Sequence, residues 1–123
     1  MKQLATGALT VKASGTTAWA LGGQGQVLRV DDDSDTPTTF TPLDEAVVGN
    51  ATHVGVHDEH AYVGTWLGAG SNARIGHLST PEKGLEPLVS TPCKSGLDGV
   101  AASSTFVYFF CAEDDGIYRA ALP

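Results

Sequence analysis

The stretch GVAASSTFVYFFCAEDDGIYRAALP, residues 99–123, decides how the chain is read. A short alternating run reaches the polar pair Ser103 and Ser104, and a second run opens on Val107 and Tyr108. An acidic loop, Glu113, Asp114 and Asp115, then leads into a third run at residues 116–121. Period-two alternation punctuated by Ser, Gly and Asp turns is the pattern of antiparallel strands.

Two further copies of this unit lie upstream. Residues 9–30 read LTVKASGTTAWALGGQGQVLRV, and residues 53–78 read HVGVHDEHAYVGTWLGAGSNARIGHL. Their turns fall at Ser14-Gly15-Thr16 and at Asp58-Glu59, and their third strands at residues 26–30 and 73–78. Trp19, Tyr62 and Tyr108 open the second strand of each copy and are 43 and 46 residues apart. A fourth, outer strand is expected at residues 38–41 and 86–90, where flanking or internal prolines suit an edge that needs no complete set of N–H donors. Four strands in about 40–50 residues is the period of a β-propeller blade. The sequence therefore predicts an all-β fold with three blades of four antiparallel strands, at residues 1–43, 44–91 and 92–123 of a single unit. A helix across DEAVVGNATHVGVHDEH is disfavoured by two glycines, four valines and the lack of a sustained 3.6-residue period.

The repeat GVAASSTFVYFFCAEDDGIYRAALP resembles the propeller repeats of many bacterial secreted proteins. Those run through an apolar strand to a valine-tyrosine-tryptophan strand and then to a glycine-apolar-arginine-valine strand. The third copy is the most similar; the second departs from the pattern, with Gly76-His77 in place of arginine and valine. The resemblance covers nearly the whole chain and implies the fold. It implies little about activity, because propellers host lectins, lyases, hydrolases and scaffolds alike.

Three blades are fewer than the four to eight that close a propeller ring. Two apolar end faces would be left open, larger than a soluble monomer tolerates. The economical expectation is a homodimer that makes a six-bladed ring. A fragment of a longer propeller, or a partner of another kind, is the alternative. The third copy has no fourth strand, and residues 1–5 of a neighbouring protomer are the candidate to supply it.

Composition bounds the partners. The 123 residues carry a formal charge of −7, with 41% apolar residues, 15 glycines and 6 prolines. An acidic chain is a poor ligand for nucleic acid or an anionic membrane, both of which recruit basic patches. The N-terminus lacks the continuous apolar block of a signal peptide, so the chain reads as cytoplasmic as written, or as extracellular or periplasmic if a leader has been removed.

For sites, the loops joining second and third strands, residues 22–26, 67–72 and 112–115, are expected to converge at one mouth of the ring. Trp66, Asn72, Arg74 and Asp114 lie there, an aromatic with polar neighbours suited to a carbohydrate or peptide. Cys93 and Cys111 fall on one side of the third copy, as a disulfide or as two separate thiols. The histidines His53, His57, His60 and His77 match no metal-ligand spacing, so no metal centre is assigned. Asp31, Asp33 and Asp35 alternate as calcium ligands do, but Thr36 and Pro42 replace the glycine and glutamate of the helix-flanked loop, leaving only a looser calcium site open. Gly22-Gly23-Gln24-Gly25 lacks the lysine-serine ending and following helix of a phosphate loop, and Asn50-Ala51-Thr52 fits a glycosylation triplet. No nucleophile with a base in register is found, so the reading is a binding or scaffold module without cofactor. The rival is a propeller lyase or hydrolase with a site across the dimer channel. Against that rival, the first strands are expected to line the channel with Leu9, Val11, Val54, Val56, Val100 and Ala102.

Overall fold

Along the strand Thr17–Gly22 the buried Thr17, Trp19 and Leu21 alternate with the half-buried Ala18, Ala20 and Gly22. This is the period of a strand with one face fully covered. The structure, a computed structural model, describes residues 1–22, 26–40, 50–81 and 84–123, with Asn50 by its backbone alone. Among these residues all regular structure is strand, in chain order β1 (Ala8–Ser14), β2 (Thr17–Gly22), β3 (Val27–Asp31), β4 (Thr38–Phe40), β5 (Asn50–His57), β6 (His60–Trp66), β7 (Arg74–Leu78), β8 (Glu86–Ser90), β9 (Leu97–Ala102), β10 (Phe106–Cys111) and β11 (Ile117–Ala121).

These strands make three antiparallel sheets, ordered β1-β2-β3-β4, β5-β6-β7-β8 and β9-β10-β11. Each sheet is one continuous stretch of chain in which sequence neighbours pair, because short Gly, Asp and Ser turns leave no other partner within reach. The third strands start within one residue of the expected positions, and β8 has the expected limits. The third sheet has three strands. Residues 23–25, 41–49, 82 and 83 lie outside the described residues, so the acidic pair Asp44-Glu45 and most of the Gly22–Gly25 turn do too.

A backbone feature repeats with the sequence. Each sheet's first strand carries an extra residue in its pairing with the second. Ala8 pairs Gly22 and Thr10 pairs Leu21, leaving out Leu9. Ala51 pairs Thr65 and His53 pairs Gly64, leaving out Thr52. Leu97 pairs Cys111 and Gly99 pairs Phe110, leaving out Asp98. Leu9, Thr52 and Asp98 are 43 and 46 residues apart, the spacing of Trp19, Tyr62 and Tyr108. A bulge bends its strand and adds twist, so three equivalent bulges give three equivalent sheets.

The core lies between sheets rather than within one. Trp19, Leu21, Val27 and Phe40 of the first sheet pack with Val54, Ala61, Val63 and Leu78 of the second. On the second sheet's other side, Tyr62 and Ile75 pack with Leu97, Val100, Val107 and Phe109 of the third. The middle sheet is therefore covered on both faces, which explains its run of buried residues from Ala61 to Thr65. Between β5 and β9 the backbones nearly touch: a Cβ at Gly55 would lie 2.8 Å from the Cα of Ala101. The indole N–H of Trp19 is buried without a hydrogen-bond partner among the described residues, while Arg29 stacks over its ring at 5.9 Å.

This packing corrects one expectation. Val54 and Val100 are buried between sheets, Val56 and Ala102 pack against the same cores, and Leu9 and Val11 are exposed on the first sheet. They do not line a common channel. Instead, His53 of β5 lies within electrostatic reach of Lys12 of β1 and of Asp98 in β9.

Candidate functional site: the two open sheet faces and the loop ends

The register makes the three sheets comparable residue by residue. Trp19 sits between Lys12 and Arg29, Tyr62 between Gly55 and His77, and Tyr108 between Ala101 and Arg119. The Trp19 face is covered by the second sheet and the Tyr62 face by the third. The equivalent face of the third sheet, with Phe106, Tyr108, Phe110 and Ile117, has no sheet on it among the described residues. Phe110 is 40% exposed and Ile117 80% exposed. Opposite in kind is the other face of the first sheet, built from Val11, Ala18, Ala20 and Val30. It corresponds to the Ala61 and Val63 face that Trp19 covers, and Val11 is 63% exposed.

The two faces differ in shape and charge. The third sheet presents large rings, with Arg119 stacked on Phe106 at 4.3 Å. The first presents small aliphatic side chains in a groove of about 510 Å³ whose rim carries Asp31, Asp32 and Asp35. Among the described residues the N-terminal segment lies along that groove, with Leu4 and Ala5 in its lining and Lys2 Nζ 2.7 Å from Asp35 Oδ2. Arg29, the counterpart of Arg119 in the first sheet, reaches across to Glu59 of the next sheet at 3.7 Å. Arg119 has no carboxylate partner among the described residues.

At the loop ends three of the four expected ligand-binding residues hydrogen-bond to the chain's own loops and turns. Trp66 is half-buried; its indole N–H donates to the carbonyl of Ser71 at 3.0 Å and Gly96 packs on its face. Asn72 donates to the carbonyl of Thr91 at 3.0 Å. Asp114 accepts from the Gly116 N–H at 2.7 Å and from the Tyr118 hydroxyl at 2.8 Å, the latter bond raising the Tyr118 pKa. Arg74 is exposed and lines an apolar groove of about 200 Å³ with Leu85, Pro87 and Leu88. Trp66 and Asn72 are brought together around the Thr91–Gly96 turn, while Asp114 belongs to a separate turn.

Cys93 and Cys111 form a disulfide, and both are buried. Beside it, the Glu113 carboxylate accepts the backbone N–H groups of Lys94 at 2.6 Å and Ser95 at 2.9 Å. Bridge and clamp together fix the entry of β9 to the end of β10. The alternating aspartates do not converge: Asp31 accepts from Arg29 Nε and Thr17 Oγ1, each at 3.1 Å, and Asp35 is paired with Lys2. Two of the three carboxylates expected of a calcium loop are thus taken by the chain's own donors.

His53 donates to or accepts from the hydroxyl of Thr52 at 3.1 Å, depending on tautomer. Burial pushes its pKa below the ordinary 6.5; Asp98 works against that shift and Lys12 adds to it. At the opposite end of the sheets, His60 Nδ1 lies 2.7 Å from His77 Nε2. Sequence spacing could not reveal this pair, because it depends on the β6–β7 register.

No protein-family model and no curated protein matches the chain. Among solved structures it is similar to one described as the crystal structure of the computationally designed Ika4 protein, at 8% identity and a TM-score of 0.62. The match covers 92% of this chain and 64% of that one, so this chain spans under two-thirds of its length. At such identity the likeness concerns the fold alone.

Proposed function

We propose that the chain is half of a β-propeller, three blades that a second copy completes to a six-bladed ring, and that the ring is a non-enzymatic scaffold or binding module. One observation carries the reading. The two uncovered faces are the repeat equivalents of faces that are buried against each other at both sheet-to-sheet junctions inside the chain. Laying the Tyr108 face of one copy on the Ala18 and Ala20 face of another repeats a junction the chain already makes twice. It also places Arg119 near an acidic rim, as Arg29 is placed near Glu59. A two-fold arrangement makes this junction twice, so no face remains open.

The scaffold part has more support than the ligand part. Trp66 and Asp114 have polar groups engaged within their own loops and the Asn72 amide is bonded to Thr91 of a neighbouring loop, so a carbohydrate or peptide at the loop mouth would rely on Arg74 and on backbone groups.

The exposed positions supply the test. Ile117 and Val11 are 80% and 63% exposed in the single chain, so a charge there leaves the folded protomer intact. In the ring both are desolvated, where an unpaired carboxylate is strongly unfavourable. Ile117→Asp and Val11→Asp should each halve the solution mass while the circular dichroism spectrum and melting curve of the protomer persist. Variants that keep the mass of the unmodified protein would remove both faces from the association.

A further inference from the structure

Three histidines converge on one side of the middle sheet. In the β5–β6 register His57 pairs opposite His60, and in the β6–β7 register His77 pairs opposite Tyr62. Alternation along β6 then puts His57, His60, Tyr62 and His77 on the same face, the one turned toward the third sheet. There they line a groove of about 370 Å³ together with Asp58 and the Ser103-Ser104 turn of the next sheet. The His60 and His77 rings lie 4.9 Å apart between centroids, with the ring nitrogens 2.7 Å apart. His77 stacks on Tyr62 at 5.2 Å and 23°, whereas His60 is exposed.

The geometry points to a site for a divalent transition-metal ion, held by His60 Nδ1 and His77 Nε2 across β6 and β7. Two Zn–N bonds of about 2.0–2.1 Å at the tetrahedral angle place their nitrogens about 3.3 Å apart. Turning the exposed His60 ring opens the observed pair by that small amount and aims both lone pairs at one point. His57 and Asp58 border the same groove but do not come within common reach of an ion with this pair, so water fills the remaining positions. Imidazole donors favour zinc, copper and nickel over magnesium and calcium, which prefer oxygen. The cysteines do not compete, since their sulfurs are joined. The site lies within one chain, so it stands or falls independently of ring formation.

Calorimetric titration of the chelator-treated full chain with Zn2+ tests this. One saturable equivalent per chain is expected, unchanged by excess Mg2+. His60→Gln and His77→Gln should each weaken it by at least about tenfold, given that even outer-sphere partners cost this much. Asp33→Asn, in the acidic loop of the first sheet, should leave it unchanged. Because His77 packs on Tyr62, its variant is backed by a measurement on the unmodified protein: Zn2+ should shift the 15N resonances of His60 Nδ1 and His77 Nε2. Unsaturable binding, displacement by Mg2+, loss in Asp33→Asn, or ring nitrogens that do not move would each overturn the assignment.

Discussion

Replacing Gly55 by valine should destabilise the fold by about 3 kcal/mol, the upper part of the range for forcing atoms into a packed interior. Strand propensity alone argues for the opposite sign, because valine is among the best strand formers and glycine among the worst. The decisive contact is between sheets. A Cβ at Gly55 would stand 2.8 Å from the Cα and 2.9 Å from the N of Ala101, and backbone cannot move aside as a flexible side chain can. The backbones of β5 and β9 would have to separate, loosening the core of Tyr62, Val100 and Phe109. Gly22→Ala is the matched control, since its added carbon meets neighbours no nearer than 3.5 Å. Urea unfolding of both variants reads the difference. A neutral or stabilising Gly55→Val would mean that the second and third sheets do not meet along β5 and β9.

Removing the disulfide should have a comparable effect by a different route. Cys93 and Cys111 are 18 residues apart, and cross-linking a loop of that size stabilises by about 3 kcal/mol, largely through the unfolded chain. Both sulfurs are buried, and Cys111 ends the central strand of a sheet with three strands among the described residues. The paired change Cys93→Ser and Cys111→Ser should lower the melting temperature by about 10 °C. The unmodified protein should show the same drop in reductant, and the variant should be insensitive to it. Glu113 continues to clamp Lys94 and Ser95 in the variant, so the loop loosens rather than detaches. A melting curve indifferent to reductant, with thiol titration showing the bond open, would contradict this.

What the sequence made legible was local. Alternation and turn residues marked the strands, since burying one face of a strand requires apolar residues at every second position. The repeat spacing of Trp19, Tyr62 and Tyr108 marked three equivalent units, and the bulges at Leu9, Thr52 and Asp98 follow the same spacing. Those bulges were not legible, because an unpaired residue has no fixed composition. Val54 and Val100 pair with Val63 and Phe109 and share their place between sheets. Site residues were harder still. Trp66 and Asn72 look like binding groups in sequence, yet the Trp66 indole closes its own loop and the Asn72 amide ties that loop to Thr91, and the acceptors are backbone carbonyls that every residue carries. The His60 and His77 pair depends on register across 17 residues, a relation no linear spacing motif encodes.

The open faces of the first and third sheets call for a partner, and absolute mass by light scattering behind a sizing column tests for it most directly. Completion of the ring by a second copy predicts a single species of twice the 12.7 kDa chain mass, dissociating only on dilution. A monodisperse species at 12.7 kDa across the whole concentration range would contradict it.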